Sequence, residues 1–416
     1  MTTRAVPYEE HRRGWVFRMT PTRYALVALA SVGGIVAVYR LFFGLGPTTN
    51  LSDRWPWGLW VWWDVMTGVA LAGGGYSTAL LVNFLGRENW RSVERGALLT
   101  SLLGYIMVCS GLFLDLGRWF NVSNVPFFWR ENPHSVMFEL VWCVSGYTFV
   151  QLVEFGHIFV ERVRAPRLSR VLSKIYVPVL IVGVMLPMLH QSALGSLYLL
   201  ARGRLDPLWW SMLLPLFFLT SSFFVGPAMV AVENALAGRA HGRRPPLQII
   251  GQMARVSGGI MLGYFAVKVG DVVWRGAYRE LANGSVASDL FLVEIVAGVL
   301  VPAVMFLSPR TRRSPAGLVT AASLTVAGVA LNRANVVFTG MMASAGGSTY
   351  VPSWTELAVT FGIIAAGLLA YLFVSENFPV YPRDDLPAVD DFRIEEIPEE
   401  AEAEQPRASQ RVLTRV

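Results

Sequence analysis

Residues 134–164, HSVMFELVWCVSGYTFVQLVEFGHIFVERVR, are apolar enough to cross a lipid bilayer as one helix, since a crossing takes about 20 residues. Glu139, Glu154 and His157 interrupt this apolar run. A carboxylate in hydrocarbon costs roughly 2.5 kcal/mol or more, so such residues normally face the protein interior and mark a path for protons or ligands. The two glutamates would lie about 22 Å apart along a helix, which predicts one carboxylate near each end of the same membrane helix.

The composition of the whole chain is that of a membrane protein. Of the 416 residues, 54% are hydrophobic and only 15% are charged, whereas soluble domains carry about 25% charged residues. Cys109 and Cys143 lie in apolar runs, so neither a disulfide framework nor a thiolate metal site is supported, and no other metal site can be assembled. The net charge of +6 comes mainly from arginines in short loops, which set orientation in a membrane and do not indicate nucleic acid.

Ten apolar runs predict an all-α, polytopic integral membrane protein with about ten transmembrane helices. Their predicted bounds are 24–43, 58–82, 97–117, 134–160, 175–199, 209–236, 248–270, 288–308, 316–336 and 354–374. Arginine-rich loops alternate with loops rich in aromatic residues, and the positive-inside rule places the arginine-rich loops and both termini in the cytoplasm. The first run lacks an A-x-A-like cleavage site, so we interpret it as a membrane helix rather than a signal peptide.

A weak internal repeat relates two groups of four runs. GLFLDLGRW at the end of the third run is echoed by AVKVGDVVWRG in the seventh, and MFELV in the fourth is echoed by LFLVEIV in the eighth. We therefore predict two related four-helix bundles in parallel orientation, at 58–202 and 203–336. The other predicted segments are a cytoplasmic N-terminal segment at 1–23, a first helix and outer loop at 24–57, an outer loop and last helix at 337–374, and an acidic cytoplasmic tail at 375–416 with a composition typical of disorder.

Polar residues inside the predicted helices concentrate at the outer side of the first bundle. They are Asp64, Asp115 with Arg118, Glu139, and His190 with Gln191. Four consecutive helices would present these groups at similar depth, where the headgroup of an amphipathic molecule enters from lipid. The alternatives are an interfacial ion pair for Asp115 and Arg118, and a histidine satisfied by helix–helix hydrogen bonds for His190.

Two further acids, Glu154 and Glu233, lie toward the cytoplasmic side and would form a ladder across the membrane with Glu139. The second bundle has Asp271, Arg275, Glu294 and Arg333, but nothing that matches His190. We therefore expect the second bundle to be structural or vestigial, with Arg333 in an interhelical ion pair.

A haem protein is not favoured by the histidines, because a bis-histidine haem needs two imidazoles on facing helices at the same depth. His134 lies at the outer boundary, His190 about 12–15 Å deeper, and His157 near the opposite face. A nucleotide-binding loop is not indicated either. The glycine clusters lie within apolar helices, where close helix packing explains them.

Several motifs resemble one family of membrane subunits. PWGLWVWWDVMTGVALAGGGY, LDLGRWFN, SVMFELVWCVSGY, HQSALGSLY and YVPSWTEL are similar to stretches of the NrfD/PsrC family, named for the polysulfide reductase membrane subunit. They are most similar to its ten-helix branch, the HybB-type membrane subunit of uptake nickel–iron hydrogenases. The resemblance extends from about 39 to 373, and Asp271 departs from it because the branch tends to have Glu there.

The resemblance implies a quinone reductase or quinol dehydrogenase subunit in a prokaryotic cytoplasmic membrane, without a haem of its own. Electrons would come from a ferredoxin-like iron–sulfur subunit on the extracytoplasmic face, fed by a catalytic subunit, and menaquinone or ubiquinone would be the bound substrate. The expected catalytic residues are Glu139, Asp115 and His190, the expected quinone-binding residues are Asp64, Arg118, His190 and Gln191, and the expected proton path is Glu139, Glu154 and Glu233.

The favoured catalytic partner is a nickel–iron hydrogenase, and a molybdopterin oxidoreductase of the polysulfide or tetrathionate reductase type is the second choice. Two other classes remain as alternatives. A secondary transporter would typically show paired breaks in its membrane helices. A pure membrane anchor would explain the helices but not the buried acids.

Overall fold

Ten helices of the computed structural model are long and apolar enough to span a membrane within the described residues, which are 15–84, 88–127, 132, 134–163, 165–241 and 245–381. In chain order they are named α1 to α10: Pro21–Phe43, Trp60–Asn83, Glu94–Asp115, Val136–Val163, Arg167–Leu199, Leu214–Ala240, Leu247–Trp274, Val286–Leu307, Pro315–Met341 and Trp354–Asn377. These ranges contain no β-strand. The predicted all-α, multi-pass membrane fold is confirmed, while the acidic tail beyond 381 and residues 1–14 lie outside the described residues.

The helix bounds agree with the apolar runs to within five residues, except at the start of α5. α5 begins at Arg167, eight residues before the apolar run, and its first turns carry Arg170 and Lys174. Hydropathy marks only the apolar part of such a helix, whereas backbone hydrogen bonds continue into the polar interface. Helix α5 is therefore longer than its apolar run.

Helices α2 to α5 pack around one another in a closed group of four, and α6 to α9 form a second group of four. α2 and α5 also pack on α6, which joins the two groups. α1 and α10 pair with each other and lie against α3. A Cβ at Gly33 of α1 would lie 2.6 Å from the Cα of Gly362 in α10, so this pairing requires glycine. We call α2–α5 the first bundle and α6–α9 the second bundle. That the two bundles arose by duplication stays a prediction.

The helix ends form two sets. Segments 44–59, 116–127, 200–213, 275–285 and 342–353 belong to connections at one end of the bundles, which we call the aromatic end. The opposite set includes 88–93 and 308–314 and is called the basic end. Assignment of the basic end to the cytoplasm stays a prediction from the arginine distribution.

Helix α2 is irregular along its length. It is π-helical at Trp60–Thr67 and at Leu80–Phe84, and a turn at Ala72 and Gly73 breaks it in the middle. A break within a membrane leaves backbone carbonyls that must find partners inside the protein. The Ser101 hydroxyl of α3 donates to the Ala72 carbonyl at 2.6 Å. At the break, the Ser101 side chain therefore satisfies the backbone of α2 inside the first bundle.

Candidate functional site

The predicted site residues fall into two clusters at different depths in the first bundle. Asp64 and Asp115 lie near the aromatic end, whereas His190 and Gln191 lie deeper. His190 bonds to Tyr105, which is ten residues from Asp115 on α3, or about 15 Å along a helix. The expectation of a single layer at similar depth is therefore wrong. The apolar runs do not show that α2 is irregular, nor how far each residue lies from the end of its helix.

The outer cluster begins with Asp64 of α2, which is 6% exposed. Its carboxylate accepts a hydrogen bond of 2.8 Å from the Thr360 hydroxyl of α10. A Cβ at Gly111 of α3 would lie 2.6 Å from the Asp64 Cβ, so glycine lets the two helices approach here. Asp115, the last residue of α3, is half-buried one turn farther out.

The charged partner of Asp115 is Arg40 of α1, and Arg118 does not pair with it. Arg40 is fully buried and donates from NH2 to the Leu116 carbonyl, while its Nε and NH1 make no hydrogen bond with described residues. Arg40 and Asp115 interact electrostatically. Helix α3 ends at Asp115 and Leu116 is extended. Asp115 and Arg118 are therefore not one helical turn apart, as the predicted pair requires, and Arg118 is exposed.

Glu356 of α10 is a buried acid that the sequence analysis did not single out. Its carboxylate accepts from the backbone N–H of Asn50 at 3.0 Å, from the backbone N–H of Ser353 at 2.9 Å, and from the Tyr350 hydroxyl. Burial, followed by this hydrogen bond to Glu356, raises the pKa of Tyr350. Tyr350 therefore stays a neutral donor, and Glu356 ties the loops of the aromatic end together.

The inner cluster is centred on His190 of α5, which is fully buried. Its Nε2 shares a hydrogen bond of 2.8 Å with the Tyr105 hydroxyl of α3. Its Nδ1 makes no hydrogen bond of good geometry with described residues. The rings of Tyr105 and Tyr147 lie at centroid distances of 5.5 and 6.3 Å from the imidazole. The imidazole is thus fixed at one nitrogen and has hydrogen-bonding capacity at the other.

Neutral polar side chains extend the inner cluster toward the basic end. Gln151 of α4 is fully buried and donates from Nε2 to the Tyr147 hydroxyl at 3.0 Å and to the Ser101 hydroxyl. Gln191 donates from Nε2 to the Val69 carbonyl at 2.9 Å, so part of its role is to satisfy the backbone of α2. Tyr105, Tyr147, Gln151 and Ser101 were missed because a search for charges in apolar runs passes over neutral groups.

The three predicted proton-path acids are not brought together. Glu139 is exposed near the start of α4. Glu154 faces α5, where a Cβ at Gly183 would lie 2.8 Å from its Oε1. Glu233 of α6 is 6% exposed and accepts from the hydroxyls of Tyr371, at 2.6 Å, and Tyr381. Burial and the nearby Glu233 carboxylate raise the pKa of Tyr381. The three acids therefore do not contact one another. Glu233 is the acid that lies against α3, where a Cβ at Gly96 would be 3.3 Å from its Oε1.

The second bundle has a buried polar cluster of its own. Glu294 accepts from Trp209 at 2.9 Å, Asn332 at 2.7 Å and Asn335 at 2.8 Å. Arg333 donates to Asn332 at 2.6 Å and to Ser221 at 2.7 Å, so the expectation of an ion pair for Arg333 is wrong within the described residues. Neutral amides, an indole and a hydroxyl bond to these charged groups and link α6, α8 and α9.

Across the described ranges, no group of three or more His, Cys, Asp or Glu side chains could hold a metal ion.

Comparison with known proteins gives a consistent picture. The family model described as polysulphide reductase, NrfD, matches residues 47–345. A protein of Nitratidesulfovibrio vulgaris, named without a function, is 32% identical over 87% of this chain and 95% of its own length. The probable Ni/Fe-hydrogenase 2 b-type cytochrome subunit of Escherichia coli is 30% identical over 84% of this chain and 89% of its own. The menaquinone reductase integral membrane subunit of N. vulgaris is 24% identical, again over 84% and 89%.

The name of the E. coli relative suggests a b-type haem, so the described histidines were compared with the needs of such a group. His157 of α4 contacts the Tyr176 ring of α5, and Tyr176 precedes His190 by 14 residues on the same helix, or about 21 Å. A bis-histidine haem needs two imidazoles at one depth. His157 and His190 therefore do not fit this group, and we derive no step through it.

Proposed function

Because the chain belongs to the polysulphide reductase NrfD family, we propose that it is the quinone-interacting membrane subunit of a multisubunit oxidoreductase. Its substrate is menaquinone or ubiquinone. Relatives named as subunits of a hydrogenase and of a menaquinone reductase support this class of complex. A nickel–iron hydrogenase is our first choice for the catalytic partner, and a molybdopterin oxidoreductase is the second.

The observation that carries the proposal is the buried His190–Tyr105 pair beneath the acids of the first bundle. A quinone has two carbonyl oxygens that accept hydrogen bonds and an apolar ring and tail that prefer lipid. An imidazole with one nitrogen held by a tyrosine presents a donor in a buried, largely apolar site, and this is the usual composition of a cofactor pocket. The proposed headgroup site lies between His190 and the outer cluster.

The outer cluster has the charges to orient the second carbonyl. The guanidinium of Arg40 has donors at Nε and NH1 that make no hydrogen bond with described residues, and it lies within electrostatic reach of Asp115. In this proposal Asp64 and Asp115 form the polar wall of the site, Gln191 lines it through Oε1, and Arg118 lies at its rim.

Quinone reduction takes up two electrons and two protons, and an iron–sulfur partner supplies only electrons. The protein must therefore deliver protons to the two carbonyl oxygens, and positioned acids and histidines are the groups that do so. We assign His190 to one oxygen and Asp115 to the other. Glu139, exposed on α4, would take up protons where quinone enters laterally, and Glu154 and Glu233 would exchange them with the basic end.

The aromatic end suits a protein partner. Trp274 is 91% exposed, Trp354 is 70% exposed and Phe120 is 59% exposed, all at this end. Aromatic residues are enriched at the centre of protein interfaces. We place the ferredoxin-like iron–sulfur subunit here, on the extracytoplasmic side of a prokaryotic cytoplasmic membrane, with both termini of this chain in the cytoplasm.

The other function classes are less well supported. A secondary transporter is typically built around paired helix breaks. Helix α2 is broken at Ala72 and Gly73, but its counterpart in the second bundle, α6, is continuous through Leu214–His241. A pure anchor has no use for a fully buried imidazole held by a tyrosine hydroxyl.

Quinone binding tests the proposal without knowledge of the partner. The purified chain in lipid nanodiscs is titrated with 2-heptyl-4-hydroxyquinoline N-oxide, a fluorescent quinone analogue whose emission is quenched on binding. We expect His190→Leu to lower the affinity about tenfold, the equivalent of about 1.4 kcal/mol. His157→Leu is the matched control, since it removes an imidazole near the basic end. Equal affinities for the two variants, or no binding by the unaltered chain, would refute the proposal.

A further inference from the structure

Five buried polar atoms of uncharged side chains in the first bundle make no hydrogen bond with described residues. They are Thr78 Oγ1, Thr100 Oγ1, Gln151 Oε1, His190 Nδ1 and Gln191 Oε1. Buried polar atoms almost always bond to protein groups or to ordered water. Their concentration in one bundle therefore indicates where water is bound.

A cavity lies next to two of the hydroxyl-bearing residues of α3. It has room for about one water molecule and is lined by Thr100 and Ser101 of α3, Leu71, Ala72 and Gly74 of α2, and Glu233 of α6. Pockets for drug-sized ligands have volumes of about 300–1,000 Å³, so this cavity is too small for a quinone. Its lining is largely apolar, and the side chains of Thr100, Ser101 and Glu233 are the polar groups that it offers to a water molecule.

One face of α3 leads from His190 to this cavity and on to Glu233. Tyr105, Ser101 and Ala97 follow one another at intervals of four residues, which places them on the same side of a helix. At the far end, Ala97 lines the cavity together with Glu233. From Tyr105 to Ala97 the face extends over about 12 Å. It therefore bridges the middle of the bundle and the acid near the basic end.

Hydrogen bonds continue this face at both ends. Toward the middle of the bundle, Gln151 links Ser101 to the Tyr147 hydroxyl, and Tyr105 holds His190. Toward the basic end, Glu233 accepts from the hydroxyls of Tyr371 and Tyr381. Glu154 lies off this line, against Gly183 of α5.

We propose that these residues form a hydrated proton path from the basic end to His190, with Thr100 and Ser101 as the residues that hold its water. We call the set Glu233, Thr100, Ser101, Gln151, Tyr147, Tyr105 and His190 the polar track. The inference rests on the proposed function, since the protons are those consumed when quinone and two electrons form quinol. Only O–H and N–H bonds change along the track. Gln151 is a positioning residue, because its amide nitrogen donates to both neighbours and holds the Tyr147 hydroxyl in place.

The track predicts a specific effect of one hydroxyl group. Thr100→Val keeps the side-chain shape and removes a buried hydroxyl from a residue that lines the cavity. Thr325→Val is the matched control, since Thr325 is fully buried in the second bundle and its hydroxyl donates to the Ala321 carbonyl at 2.9 Å. The complex is purified through an affinity tag on this chain and driven by the electron donor of its co-purified catalytic subunit, which is hydrogen gas for a hydrogenase. A short-tailed menaquinone analogue is the acceptor.

We expect Thr100→Val to lower turnover about tenfold and to increase the ratio of rates in H₂O and D₂O, because proton delivery becomes rate-limiting. Glu233→Gln and the cavity-filling Ala97→Val should act in the same direction. Binding of the hydroxyquinoline N-oxide should stay unchanged in all three variants, and Thr325→Val should match the unaltered complex in both readouts.

The outcomes separate this inference from the proposed function. If the unaltered chain does not bind the quinone analogue, the proposed function fails and the track fails with it. If binding persists while Thr100→Val and Glu233→Gln both match Thr325→Val in turnover and in isotope ratio, the track is overturned and the quinone site stands.

Discussion

Removal of the Tyr105 hydroxyl separates the structural role of the inner cluster from its role in binding. Tyr105→Phe deletes the 2.8 Å hydrogen bond to His190 Nε2, and both side chains are fully buried. His190 would then have no side-chain partner at either ring nitrogen among the described residues. An unsatisfied buried polar group costs about 1–3 kcal/mol, and hydrogen bonds measured inside membranes average about 0.6 kcal/mol. We therefore expect a loss of about 1 kcal/mol in the free energy of unfolding.

Tyr76→Phe provides the matched control for this change. Tyr76 is also buried, on α2, and its hydroxyl bonds to the Ser222 hydroxyl of α6. The two variants should therefore lose similar stability in thermal unfolding of the chain in nanodiscs. Only Tyr105→Phe should weaken hydroxyquinoline N-oxide binding, by about tenfold or about 1.4 kcal/mol, because it releases the imidazole that holds the headgroup. Equal binding by the two variants would refute the assignment of the His190–Tyr105 pair to the quinone site.

Three further predictions follow from the site and the fold. Glu139→Gln should leave the complex assembled and sharply lower quinone-linked turnover with the co-purified donor; normal turnover would remove Glu139 from the proton path. Arg40→Gln should weaken analogue binding by about 1–3 kcal/mol, as for loss of a charged hydrogen-bond donor, while Arg118→Gln at the exposed rim should change it by less than about 0.5 kcal/mol; the reverse order of effects would contradict the placement of Arg40. Gly33→Val should lower the melting temperature because its Cβ meets the backbone of α10 at 2.6 Å, and an unchanged melting temperature would show that the α1–α10 contact is looser than described.

The number, type and order of the membrane helices could be predicted from the sequence, because hydropathy over about 20 residues is a strong signal. Asp64, Asp115 and His190 could also be predicted from the sequence as candidate site residues, since charged and imidazole groups stand out in apolar runs. Their grouping was not predictable. The break of α2 at Ala72 and Gly73 changes the depths of its side chains, and it follows from packing against α3 and α6 rather than from composition.

Other site residues were missed for a tertiary reason. Arg40 and Thr360 belong to α1 and α10, which lie outside the repeated runs, and only the packing of these helices against α3 brings them to the acids of the first bundle. Tyr105 and Gln151 are neutral, and neutral side chains inside a membrane helix do not by themselves indicate a site. Their hydrogen bonds, which only the structure gives, connect them to the inner cluster. Glu139 is the opposite case. It was predicted as a buried site residue because it is charged, but its side chain is exposed.

The position of the bound quinone tests the account most directly. A photoactivatable azido-naphthoquinone is cross-linked to the chain in nanodiscs, and the labelled residues are identified by mass spectrometry with and without excess hydroxyquinoline N-oxide. The account predicts competed labels in the first bundle between the two clusters, on α2 near Asp64, on α3 between Tyr105 and Asp115, and on α5 near His190. Competed labels confined to the second bundle, or labels in the first bundle that the analogue does not compete, would contradict it.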